Sequence, residues 1–125
     1  MNWSTRACTA LMTALATVGV SAASVAEAGP ALKTTTVRVT AGEYFFKFSR
    51  PRVPVGIVIF KVHNGGEEQH DLTFTTNGKK TPVFGPGGTK TLRMRMTKPG
   101  KWQYICSVGE HALHGMKGTL RVVKS

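Results

Sequence analysis

From Thr35 onward apolar and polar positions alternate with a period of two, and short clusters of Gly, Pro and Asn interrupt the alternation. Successive strand side chains point to opposite faces, so this pattern predicts strands with one face toward a core. TTVRVT, EYFFKFS, VGIVIFKVH, HDLTFTT, TKTLRMRMT, KWQYICSV and GTLRVVKS each read as a strand. Turn chemistry separates them at Asn64-Gly65-Gly66, Asn77-Gly78, Gly85-Pro86-Gly87-Gly88 and Lys98-Pro99-Gly100. Leu92, Met94 and Met96 alternate with Arg93 and Arg95, and Trp102, Tyr104 and Cys106 alternate with Lys101, Gln103 and Ile105. The methionines at this spacing read as core filling rather than metal ligands. The run Ala112-Leu113-His114-Gly115-Met116 offers at most a helical turn. The prediction is an all-β fold, a Greek-key β-sandwich of about seven to eight short strands.

The first 28 residues follow a different rule. One basic residue, Arg6, precedes the small apolar run ACTALMTALATVGVSA, and small-residue cleavage sites follow at Ser21-Ala22-Ala23 and Ala26-Glu27-Ala28. That order predicts a secretory signal peptide over residues 1–28 and a single domain over residues 29–125. An uncleaved anchor is the alternative, and the abundance of Ala and Thr over Leu and Ile argues against it. Removal of the leader leaves about 97 residues, enough for one modest core.

Cleavage also removes Cys8, leaving Cys106 as the sole cysteine of the exported chain. A lone thiol in an oxidising compartment is exposed to damage unless it is buried or bonded to a metal. Removing Arg6 and Glu27 leaves the net charge at +11, with basic residues dispersed from Lys33 to Lys124. Dispersed charge suits attraction to an acidic partner. A nucleic-acid partner is not expected, because no nucleic-acid motif accompanies the charge.

The chemistry concentrates in YICSVGEHALHGMKG, where four residues separate Cys106 from His111 and four more separate His111 from Met116. Cys106 closes one predicted strand and Met116 precedes the next, so one loop can bring thiol, imidazole and thioether together. A fourth ligand must come from His63, His70 or His114. His70 is the strongest of these, because it opens HDLTF directly after the polar turn NGGEEQ. His63 reads as a partly exposed strand residue, and His114 as a rim residue. Zinc accepts thiolate and imidazole but takes thioether poorly, haem lacks an attachment motif, and copper accepts the whole set.

NGGEEQHDLTF followed by YICSVGEHALHGMKGTLRVV resembles the copper-binding segments of the cupredoxins, the small blue-copper electron carriers. The Val62-His63-Asn64 strand end, the Lys98-Pro99-Gly100 turn and Gly115-Met116-Lys117-Gly118 extend the resemblance along the chain. It implies that His70, Cys106, His111 and Met116 bind one type 1 copper ion. The loop is longer than in plastocyanin-like members and similar to the rusticyanin type. Glu110 puts a negative charge beside His111, and Ile105 stands where plastocyanins have a tyrosine, which points to the His111 edge as the electron port, ringed by Pro86, Ala112 and Leu113. A hydrogen bond from Ser107 to Asp71 is expected to tie the ligand loop to the His70 segment.

The resulting expectation is a periplasmic or secreted monomer that passes single electrons between redox partners with acidic surfaces, a cytochrome, oxidase or reductase among them. An enzyme is not expected, because four histidines are too few for the additional centres of multicopper catalysts. A copper-delivery protein on the same fold is the alternative.

Overall fold

The computed structural model describes residues 14–16, 18–21, 29 and 31–125. The leader read over residues 1–28 therefore lies largely outside the described residues. Among the described residues no helix is long and apolar enough to cross a membrane.

Eight strands form: β1 (Thr34–Gly42), β2 (Phe45–Phe48), β3 (Arg52–Pro54), β4 (Gly56–Asn64), β5 (Thr73–Phe74), β6 (Thr89–Met96), β7 (Gly100–Ile105) and β8 (Lys117–Val123). They make two four-stranded sheets, β2-β1-β4-β6 and β3-β8-β7-β5. The chain changes sheet at every connection except β1 to β2 and β7 to β8. Two parallel pairings, β1 with β4 and β3 with β8, follow from these crossovers. The all-β sandwich with strands exchanged between sheets agrees with the sequence pattern.

Inward positions of both sheets supply one core. Val37 and Val39 of β1, Val58, Phe60 and Val62 of β4, Met94 and Met96 of β6, and Leu120 and Val122 of β8 are buried. The ring of Phe60 lies 5.0 Å from that of Phe74, and Phe48 lies 4.4 Å from Tyr104, closing the space between the sheets. Burial of such a side chain stabilises by about 1.5–3 kcal/mol. Met94 and Met96 are core residues, as their spacing predicts.

Two differences from the predicted elements have physical causes. The segment HDLTFTT shrinks to Thr73–Phe74, because His70 makes an isolated two-bond bridge with Phe84 and Leu72 pairs with Thr81 instead of continuing along β7. The strand β3 is too short to show alternation. It contains Pro54, and it forms by pairing with β8 at the edge of its sheet, where a proline leaves no interior donor missing.

The register brings one set of strand ends together. Ala41 pairs with Asn64, His63 with Thr89, and Ile105 with Lys117. Buried Asn64 joins the loops there: its Nδ2 donates to the carbonyls of Glu68 (2.8 Å) and Phe84 (3.1 Å), and its Oδ1 accepts from the Gly66 N–H (2.9 Å). This pole carries the metal-ligating side chains.

Candidate metal centre

Each donor is placed by its own backbone. The bridge with Phe84 holds His70, its N–H donating to the Phe84 carbonyl at 3.1 Å and its carbonyl accepting at 3.0 Å. The Cys106 N–H, just past β7, donates to the Met116 carbonyl at 3.0 Å, and the Met116 N–H donates to the His111 carbonyl at 3.0 Å. The ligand loop thus closes on itself before β8 begins. Gly115 makes this closure sterically easy, since its φ of 102° lies in a region that side-chain-bearing residues rarely adopt. Within the loop the His114 N–H donates to the Glu110 carbonyl at 3.1 Å, the single helical turn anticipated there.

Among the described residues, His70, Cys106 and His111 form a buried cluster of metal-ligating side chains. The two Nδ1 atoms are 3.2 Å apart, and the Cys106 Sγ lies 3.8 Å from His70 Nδ1 and 3.6 Å from His111 Nδ1. A point equidistant from the three atoms is about 2.1 Å from each, the length of a metal–nitrogen bond. Met116 is fully buried and is tied by its backbone to both Cys106 and His111. Two imidazoles and a thiolate in contact, with a buried thioether on the same loop, are the donor set that suits a type 1 copper ion. The four residues are arranged as a type 1 copper site. Burial pushes the Cys106 thiol up from its ordinary value, so a cation that displaces its proton is what stabilises the thiolate there.

Carboxylates surround the donors. Asp71 is buried and accepts from both the Ser107 N–H (2.6 Å) and the Ser107 hydroxyl, which joins the ligand loop to the His70 segment as expected. Glu43, in the turn between β1 and β2, accepts from His70 Nε2 at 2.8 Å. The same oxygen accepts from the N–H groups of Glu68 (2.8 Å) and Glu67 (3.0 Å). The Glu68 N–H is the strongest influence on the Glu43 carboxyl; with the Glu67 N–H and His70 it holds the group down at about 2. Gly66 permits this approach, since a Cβ there would run into the pinned Glu43 carboxylate. Glu68 in turn lies 2.6 Å from His111 Nε2.

The edge of His111, read as the electron port, is largely covered. His111 is only 8 % exposed, because Glu68 sits on its Nε2 edge and the Tyr44 ring lies 5.1 Å from its own. Leu113 of the expected rim is 82 % exposed. His114 is exposed outside the donor cluster and stacks on Tyr44 at 4.9 Å and 26°, the rim position read from the sequence. His63 is also outside the cluster, its Nδ1 3.1 Å from Thr89 Oγ1. Glu43, Tyr44 and Glu68 were not singled out from the sequence. The available signal was the acidic distribution: every carboxylate after Glu27 lies in a segment that turns at this pole.

Two crossed-over sheets with a buried His–Cys–His cluster and a methionine at one end define a copper-binding β-sandwich. The chain belongs to the family of the cupredoxin-like domain, whose sequence profile matches residues 9–122. Comparison with curated proteins by sequence finds no match. Similar solved structures include reduced auracyanin from the photosynthetic bacterium Roseiflexus castenholzii (TM-score 0.57, 18 % identity, 75 % of this chain and 99 % of that one). Auracyanin A, a blue copper protein from Chloroflexus aurantiacus, aligns with TM-score 0.60 and 17 % identity over 73 % of this chain and 100 % of that one. The periplasmic domain of cytochrome oxidase subunit II from Bradyrhizobium japonicum aligns with TM-score 0.60 and 18 % identity over 77 % of this chain and 88 % of that one.

Proposed function

We propose that the protein is an exported type 1 copper protein that carries single electrons between redox partners. The observation that carries this reading is the convergence of His70 Nδ1, His111 Nδ1 and Cys106 Sγ on a point at bonding distance from all three, beside buried Met116. His70, Cys106, His111 and Met116 are the proposed ligands. Copper bound there supplies a one-electron couple. Cys106 contributes the thiolate and Met116 the second soft donor, which together favour the reduced ion. The two imidazoles suit the oxidised ion as well. The strand ends and the Asn64 and Asp71 hydrogen bonds hold the donors in one arrangement for both states.

Residues 1–28 act as the export signal in this reading, and residues 29–125 as the single electron-carrying domain, working as a monomer. Subunit II of the cytochrome oxidase that the fold resembles has a periplasmic domain, which supports the compartment. The partners are redox proteins with acidic surfaces, attracted by the basic flanks. Adding copper(II) to the protein tests the assignment: an intense blue absorption with a type 1 paramagnetic resonance spectrum is expected. A colourless complex that forms only with copper(I) would instead identify a copper-delivery protein.

A further inference from the structure

Both imidazoles that turn Nδ1 toward the donor cluster have their other nitrogen on a carboxylate, at 2.8 Å for His70 with Glu43 and 2.6 Å for His111 with Glu68. The two carboxylates belong to one hydrogen-bonded unit. Glu43 takes the backbone N–H of Glu68, and the Tyr44 hydroxyl, next in the chain to Glu43, lies 3.4 Å from Glu68 Oε1. The turn between β1 and β2 and the loop after β4 thereby close over both ligand rings from the same side.

An ionised carboxylate accepts hydrogen bonds and donates none, so each pairing requires the proton on Nε2 and leaves the Nδ1 lone pair for a metal. Turning either ring over would break its Nε2 contact with the carboxylate and put a carbon in the place of the donor. Negative charge on the far side of an imidazole also raises its basicity as a ligand and favours the more highly charged state of a bound ion.

We propose that Glu43 and Glu68 are positioning residues that lock His70 and His111 with Nδ1 facing the metal, and that their charges bias the site toward copper(II) over copper(I). The first half requires only a metal at the donor cluster; the second rests on the copper reading above.

The test uses the full chain with Glu43→Gln and Glu68→Gln, which keep an oxygen acceptor but remove the charge, and with Glu43→Ala and Glu68→Ala, which remove both. In the zinc-loaded protein, proton magnetic resonance of the native chain should show two downfield, slowly exchanging Nε2 protons. The matching signal should move upfield in each Gln variant and be lost to exchange in each Ala variant. In the copper-loaded protein, the ratio of copper(II) to copper(I) affinity, read from the reduction potential, should fall about 10–100-fold in each Gln variant. Glu68 is 49 % exposed, so its variants keep the test decisive if those at Glu43 fail to fold. A zinc-form spectrum unchanged by Glu68→Gln and Glu68→Ala overturns the positioning role. A changed spectrum with an unchanged affinity ratio overturns the charge bias. Absence of the blue copper spectrum in the native chain would sink the electron-carrier reading without touching the zinc result.

Discussion

Asp71 and Tyr104 show how single side chains at the metal pole and in the core acquire measurable roles. Both Asp71 oxygens are taken by Ser107, one by its N–H and one by its hydroxyl, and the group is buried. Asp71→Ala leaves the Ser107 N–H without its partner and is expected to destabilise by about 1–3 kcal/mol, seen as a lower urea midpoint at unchanged slope. Burial raises the Tyr104 phenol above its ordinary 10. The folded state therefore holds this proton more tightly than the unfolded chain. The stabilising contribution is whole below about pH 10 and declines as pH rises past that value. Tyrosinate absorbance and urea unfolding followed across this range should show the decline, and Tyr104→Phe should lessen it. At this scale the buried His–Cys–His cluster was anticipated, because Cys106, His111 and Met116 at even spacing in one loop are a rare combination without a metal. Glu43 and Glu68 were not, because a carboxylate becomes a partner of an imidazole only when two distant loops close over it.

Among the elements, β4 bears most on the sandwich, since it pairs with both β1 and β6 and presents Val58, Phe60 and Val62 to the core. Phe60→Ala leaves a cavity beside Phe48 and Phe74 and is expected to cost about 3–5 kcal/mol. For a domain of this size the thermal midpoint should drop by more than about 10 °C, measured by circular dichroism. Strands with a clean period of two, such as β6 with Leu92, Met94 and Met96 inward, were legible because burial on one face writes itself into alternate positions. The strand β3 was not, because three residues carry no period, and the reach of β5 was not, because His70 and Leu72 found backbone partners in the irregular segment around Thr81 and Phe84.

Across the described residues, charge is sorted rather than evenly spread. Glu43, Glu67, Glu68, Asp71 and Glu110 all lie in the turns and loops of the metal pole, while Lys and Arg occupy the strands and the opposite end. Cations bordering the pole include Lys47, opposite Thr40 on β2, Lys90, opposite Val62 on β6, and Lys117, opposite Ile105 at the start of β8. In the proposed reading, these are the cations that would steer an acidic partner toward the metal end. Lys90→Glu and Lys117→Glu should each slow association with an acidic-faced redox protein severalfold at about 0.01 M salt and have little effect at about 1 M, where screening reaches about 3 Å. Stopped-flow rates that rise with salt in the native chain would contradict this steering.

The order of residues along the chain was enough to establish a sandwich of alternating strands and to single out Cys106, His111 and Met116 with His70, because periodicity, turn chemistry and ligand softness are local properties. Folding in three dimensions was needed to seat Glu68 on His111 and Glu43 on His70, to cover the edge of His111, and to gather the carboxylates at one end. Those contacts join the turn after β1, the loop after β4 and the loop after β7, segments far apart in the chain. The register of the sheets places their ends at one pole, and the Asn64 and Glu43 hydrogen bonds draw the loops together there.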